Sequence, residues 1–275
     1  MRASDLPIGI FDSGIGGLTV VRQIRRALPH EDLVYLGDTA RVPYGTKSPG
    51  TVVRFACEDT QFLLDQKVKA VVVACNTASA WALPTLDRRF EAVPIFGVIA
   101  PGARAALART RNRRIGVIAT LATVRSQAYA KALLARDDCI DLVMRDCPLL
   151  VPLVEEGWTS GPITESVLRQ YLAPLLAHGI DTLVLGCTHY PLLREAIATV
   201  AGAGVALVDS AESCAEYVAE GLRQMGLLTV DRKRAGRIQP FVTDDPRWFD
   251  ELAGVFLGEP ADPSSQATLP IIELK

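Results

Sequence analysis

Short apolar runs, many of them β-branched, recur along the chain with longer mixed stretches between them. Ile8–Phe11, Asp32–Leu36, Ala70–Ala74, Ile95–Val98, Arg114–Ile118, Asp181–Leu185 and Val205–Val208 are too short for helices and read as strands. The segments Leu18–Leu28, Pro49–Gln66, Val124–Leu134 and Ile163–Ala177 carry the spacing of amphipathic helices. Strand–helix alternation of this kind predicts parallel sheets joined by helical crossovers. Pro and Gly mark turns throughout, and Gly258–Gln266 reads as an irregular loop.

The pattern also echoes itself. Ile8-Gly9-Ile10-Phe11-Asp12-Ser13 parallels Ile115-Gly116-Val117-Ile118-Ala119-Thr120. A later strand in each half ends in cysteine: Val73-Ala74-Cys75-Asn76-Thr77 and Leu185-Gly186-Cys187-Thr188-His189. The two offsets are nearly equal, as in a duplicated α/β unit. The expected fold is α/β: two similar domains of mainly parallel sheet flanked by helices, related by a pseudo-two-fold axis. The active site is expected in the cleft between them.

Composition narrows the classes. The chain has 275 residues, long enough to bury a sizeable core. It contains no apolar run near the roughly 18 residues of a membrane span. A formal charge of -2 gives no reason to expect a nucleic-acid partner. The opening Met1-Arg2-Ala3-Ser4-Asp5-Leu6-Pro7 lacks the apolar stretch of a secretory signal, so a cytoplasmic protein with no membrane partner is expected. Six cysteines without a CxxC spacing, and only three histidines, argue against a zinc site and for free thiols. Cys57, Cys139 and Cys214 read as inert, buried small hydrophobes.

A cysteine at the carboxyl end of a buried parallel strand stands where open α/β sheets bind their ligands. Cys75 and Cys187, one per half, can face a substrate from opposite sides. A thiol with an ordinary pKa near 8.5 can give or take a proton at neutral pH. One thiolate removing a proton while the opposite thiol delivers another is what inversion of a stereocentre requires. A redox pair is the competing use of two thiols. Ser13, Asn76, Thr77, Thr120 and Thr188 are short polar residues at strand ends, suited to holding carboxylates. Asp12 can accept an ammonium group or assist Cys75, and His189 can tune Cys187.

Each feature also has a plainer reading. Asp12-Ser13 can be a strand-end turn or helix cap, and His189 a capping or packing residue. Gly14-Ile15-Gly16-Gly17 lacks the GxGxxG spacing of a nucleotide site and reads as a tight turn. Val42-Pro43-Tyr44-Gly45 reads first as a turn, with Tyr44 able to line a polar site. Glu155 and Glu156 read as a solvated pair.

Gly9-Ile10-Phe11-Asp12-Ser13-Gly14-Ile15-Gly16-Gly17-Leu18-Thr19-Val20 resembles the opening signature of the bacterial glutamate racemase family. So do Tyr35 through Gly45, Ala74-Cys75-Asn76-Thr77-Ala78-Ser79-Ala80, Leu185 through Leu192, and Phe241 through Phe249. The likeness runs from about Ile8 to Leu257. The resemblance implies interconversion of L- and D-glutamate without a cofactor, supplying D-glutamate for peptidoglycan, by a protein that is commonly a homodimer. It implies a first domain of 1–98 plus 208–275 and a second of 99–207. Cys75 would act on one face of the substrate with Asp12 assisting, and Cys187 on the other with Glu155 and His189. Asp12, Ser13, Pro43, Tyr44, Gly45, Asn76, Thr77, Thr120, Thr123, Thr188 and His189 would hold the glutamate. An aspartate racemase, differing by one methylene of substrate, and a non-catalytic amino-acid-binding protein are the alternatives.

Overall fold

In the computed structural model, residues 2–231, 233–258 and 270–274 are described, without the side chains of residues 248 and 250. The first elements are β1 (Ile8–Asp12), α1 (Leu18–Ala27), β2 (Leu33–Gly37), α2 (Pro49–Asp65), β3 (Ala70–Val73), α3 (Asn76–Arg89), β4 (Ile95–Gly97) and α4 (Ile99–Arg109). Then come β5 (Arg114–Ala119), α5 (Leu121–Ser126), α6 (Ala128–Leu134), β6 (Asp141–Asp146), α7 (Leu150–Glu155), α8 (Pro162–Ala177), β7 (Thr182–Gly186), α9 (Arg194–Ala201) and β8 (Ala206–Asp209). The chain closes with α10 (Ser210–Gln224), β9 (Ile238–Val242) and α11 (Pro246–Leu257).

Two parallel sheets result, ordered β4-β3-β1-β2-β9 and β6-β5-β7-β8. Without β9 the first sheet has the same connectivity as the second: β1 corresponds to β5, β2 to β6, β3 to β7 and β4 to β8. The sequence echo is therefore a repeat of topology. It puts Asp12 and Ala119, and Cys75 and Cys187, at equivalent strand ends.

Alternation along each strand sends successive side chains to opposite faces. Ile8 and Ile10 enter one core while Phe11 enters another; Ala70 and Val72 part from Val71 and Val73 in the same way. The first of these cores also takes in Ile118, Leu183, Leu185 and Tyr190, so the two halves share one continuous apolar interior. The remaining face of the second sheet, with Ile115, Val117 and Val184, packs its own cluster with Tyr129 and Leu133.

The structure differs from the sequence reading in several places. β6 and β9 are strands that the apolar pattern does not reveal. β6 is an edge strand whose residues are exposed or only partly buried, and β9 contains Pro240, which an edge strand tolerates. Val124–Leu134 is two helices rather than one: Gln127 takes φ 57°, while Ser126 Oγ donates to the Thr123 carbonyl and accepts from Ala128 N–H. The second sheet ends with β8 at Asp209. Gly258 ends α11 in the left-handed conformation, and the rest of the expected loop lies outside the described residues. Cys139 is exposed, contrary to its expected burial, because it sits in the polar turn Asp137-Asp138-Cys139 before β6. Cys57 and Cys214 are buried as expected.

Candidate active site

Several strand-end residues serve as helix caps, and this positions them. Cys75 precedes α3, its sulfur accepting from Ala78 N–H at 3.5 Å. Thr120 caps α5 by accepting from Thr123 N–H at 3.3 Å. In each helix a free first-turn N–H is satisfied by the strand-end residue that precedes it.

The carboxyl ends of the two sheets meet through direct side-chain contacts. Thr77, Thr120 and Thr123 form a triangle of hydroxyls 2.9–3.1 Å apart, drawn from both halves. Asn76 accepts from Tyr129 OH at 2.8 Å and donates to Ser210 Oγ at 3.4 Å. Thr188 Oγ1 donates to Asp12 Oδ2 at 3.4 Å, and Thr19 Oγ1 donates to the Thr188 carbonyl at 2.9 Å. Trp81 Nε1 donates to the Ala122 carbonyl at 3.0 Å.

Around Cys75, the thiol donates to Ser13 Oγ at 3.7 Å and the residue is 5% exposed. Burial, with the negative charge of Asp12 adding to it, pushes this thiol up to about 12. Asp12 is fully buried and accepts from Gly14 N–H at 3.1 Å. Burial raises its carboxyl above the usual range, against the opposing pull of the His189 charge. The turn reading of Asp12-Ser13 thus holds in part, since Asp12 braces the turn after β1, whereas the N-cap of α1 is Gly17.

Around Cys187, the sulfur lies 3.9 Å from His189 Nδ1, and His189 Nε2 lies 3.0 Å from Glu155 Oε1. Burial opposes charge on this imidazole, but hydrogen bonds to Cys187 and Glu155 outweigh it and hold its pKa up to about 10. Glu155, at the end of α7, reaches His189, while Glu156 is exposed on the other side of the helix cap. The solvated-pair reading therefore describes Glu156 only.

A tight turn alone does not account for Gly16. A Cβ there would lie 2.4 Å from Thr188 Oγ1 and 2.5 Å from His189 Cε1, so only glycine lets the β1–α1 loop touch the Cys187 loop. Gly45 is similar: its Cβ would fall 2.8 Å from Thr120 Cβ across the cleft.

Tyr44 departs from expectation. Its ring is buried in the first half, and its hydroxyl contacts Asp38 and, at 3.0 Å, Asp59 Oδ2. It anchors the Pro43–Gly45 loop rather than lining the cleft with its side chain. Arg41 donates to Asp38 at 2.6 Å and Asp59 at 2.9 Å, and also pairs with Glu58. One phenol proton cannot serve two carboxylates. Burial, with the nearby Asp38 charge adding to it and the Arg41 charge opposing it, raises the Asp59 carboxyl above its ordinary value, which makes a proton at this cluster easier to hold.

A native carboxyl raised above its unfolded value of 3.8 binds more protons when folded, so its contribution to stability falls as pH rises through that window. Asp59→Asn, which removes this titration while offering a donor toward Tyr44, is expected to reduce the decline of stability with rising pH. Asp38→Asn is expected to cost about 3–5 kcal/mol by unbalancing Arg41. Denaturant midpoints measured from about pH 5 to about pH 9 check both. An unchanged pH dependence in Asp59→Asn would contradict the raised Asp59 carboxyl.

Sequence reasoning missed Thr19, Tyr129 and Ser210, which hold Thr188 and Asn76. Thr19 lies within the opening signature but was not singled out there, and Tyr129 and Ser210 carry no local motif; their partners give them meaning. Among the described residues the one cluster with metal-ligating spacing is partly buried Asp137 with exposed Asp138 and Cys139, remote in sequence from both thiols.

Residues 8–218 match the Asp/Glu/Hydantoin racemase family. The chain is 53% identical over 251 residues to a glutamate racemase of Geobacter metallireducens, covering 91% of this chain and 92% of the relative. It is 50% identical over 252 residues to one of Neisseria meningitidis, with coverage of 92% and 93%. Its fold superposes on glutamate racemase of Francisella tularensis, solved with D-glutamate, with a TM-score of 0.90 at 38% identity and 99% coverage of both chains. For the Thermus thermophilus glutamate racemase, solved with beta-chloro-D-alanine, the TM-score is 0.84 at 48% identity, covering 95% and 96%. An aspartate racemase of Picrophilus torridus, at 21% identity and a TM-score of 0.53, shares the fold alone. With two sheets of the same connectivity, each followed by a cysteine just past a central strand, and a match that spans most of the chain, the protein belongs to the Asp/Glu/Hydantoin racemase family of isomerases.

Proposed function

We propose that the protein is a glutamate racemase that works without a cofactor through Cys75 and Cys187. The observation that carries this reading is the placement of two buried thiols at equivalent ends of duplicated strands, each with its own acid–base partner. On one side stand Asp12 and Ser13 with Cys75; on the other, Glu155 and His189 with Cys187.

In the proposed reaction one sulfur, as thiolate, takes the Cα proton and the C–H electron pair stays on the substrate. The opposite thiol then donates its proton to the other face, so proton and charge balance and the two sulfurs exchange protonation states. The reverse reaction runs by the same path. Charge building beside an already anionic carboxylate needs close hydrogen-bond donors, and the Thr77–Thr120–Thr123 hydroxyls and the helix N-termini behind them are suited to supply these. Asp12 would pair with the substrate ammonium as well as assist Cys75.

Glutamate, rather than aspartate, is favoured by the full-length likeness to glutamate racemases, against a shared fold alone for the aspartate enzyme. A cytoplasmic location, a homodimer and the supply of D-glutamate for peptidoglycan belong to the same reading and rest on the family resemblance. No described helix is long and apolar enough to cross a membrane.

The test is incubation of purified protein with L-glutamate in D2O with no added cofactor. Loss of optical activity together with deuterium at Cα is the expected result. Inert glutamate beside racemised aspartate would move the substrate assignment, and inertness toward both would overturn the reading.

A further inference from the structure

His189 is enclosed by four elements. Its Nδ1 lies 3.9 Å from Cys187 Sγ and its Nε2 3.0 Å from Glu155 Oε1. The β1–α1 loop at Gly16 leaves no room for even a methyl group beside Cε1 and Nδ1. The remaining contact comes from α11, near the far end of the chain: the Phe256 ring stands T-shaped to the imidazole, with centroids 5.3 Å apart and planes at 85°. Phe256 is 0% exposed and belongs to the core that joins the halves.

The two imidazole nitrogens point to different partners, so one ring plane must satisfy both. Rotation of the ring about its Cβ–Cγ bond would loosen the Cys187 and Glu155 contacts together. Glu155 is partly exposed and cannot by itself stop such rotation. Gly16 and Phe256 are the steric contacts that can. An edge-to-face aromatic contact is directional as well as space-filling.

We propose that Phe256 is a positioning residue for proton transfer at Cys187: it fixes the plane of His189 so that Nδ1 stays at the sulfur while Nε2 stays on Glu155. This rests on the two-thiol racemase reading above. The C-terminal helix thereby sets the geometry on one face of the substrate, while Cys75, held by Ser13 and Ala78, is left as it is.

The test uses the full chain with Cα-deuterated L- and D-glutamate, comparing wild type, Phe256→Ala, Phe256→Leu and, as calibrators, Cys75→Ser and Cys187→Ser. Phe256→Ala is expected to lower kcat about tenfold with KM within about twofold. The primary isotope effect on kcat/KM should rise for the enantiomer that Cys187 deprotonates and fall for the other, the same skew that Cys187→Ser produces. Phe256→Leu keeps most of the volume but loses the ring contact, so it should show the same skew with a smaller loss. It carries the comparison if the alanine variant does not fold. Unchanged isotope effects in a folded variant, or a skew matching Cys75→Ser, would overturn the proposal. A wild type that does not exchange Cα protons would instead overturn the racemase reading, so the two failures are distinguishable.

Discussion

Cys75→Ser and Cys187→Ser are each expected to lower glutamate racemisation by about 10²- to 10⁴-fold, the range for removing a positioned acid or base. Substrate or competitive-inhibitor binding should change far less. A serine hydroxyl is a much weaker acid than a thiol, so it can neither reach the anionic form needed to take the Cα proton nor donate readily. The penalty is sharp at Cys75, because burial and Asp12 already push its thiol up to about 12 and leave little margin. Circular dichroism of glutamate in both directions, with calorimetric binding of an inhibitor, measures the two quantities separately. Full activity in either variant would sink the two-thiol mechanism. Loss of binding in both Cys75→Ala and Cys187→Ala would show that the cysteines are structural. Reversible formation of a Cys75–Cys187 disulfide during turnover would instead favour redox chemistry.

Gly16→Ala is expected to be almost as damaging, although residue 16 bears no functional group. The new methyl would lie 2.4 Å from Thr188 Oγ1 and 2.5 Å from His189 Nδ1, so one side must move. Neither neighbour is a free chain end. Thr188 is tied to Asp12 through its hydroxyl and to Thr19 through its carbonyl, and His189 is held by Glu155 and Phe256. Displacement of the Cys187 loop by a fraction of an ångström to an ångström should cost about 10²-fold in kcat. Overpacking at a well-filled contact should cost about 1–3 kcal/mol of stability. Gly50→Ala is the control, since nothing lies within 4 Å of its Cβ and it sits in the first turn of α2. Steady-state kinetics and thermal melts of both variants check this. Wild-type turnover in Gly16→Ala would show that the loop contact is not needed for catalysis.

Much of this was legible in the chain because it is local. Ile8–Phe11 and Ala70–Ala74 announce buried parallel strands by apolar runs alone, and the doubled Cys-x-Thr and Cys-Thr endings mark the two ends that matter. Two of the four edge strands were not legible. β6 buries too little to need an apolar run, and β9 is recruited beside β2 from far along the chain. Tyr44 shows the same limit within the site: its neighbours in sequence make a turn, but the direction of its ring depends on Asp38 and Asp59, the latter supplied by α2.

The amino-acid sequence by itself determined the strand–helix alternation, the repeat and the two thiols at matching strand ends. These follow from periodicity and from strand-end chemistry, which act over a few residues. Only the tertiary structure decided which groups serve each thiol. His189 took Glu155 rather than leaving it to solvent, Phe256 arrived from the C-terminal helix, and Gly16 became one of the points where the halves touch. The reason is physical: burial and contact between residues remote in the chain set the protonation, rotamer and spacing of these groups, and no local pattern encodes a neighbour that folding supplies.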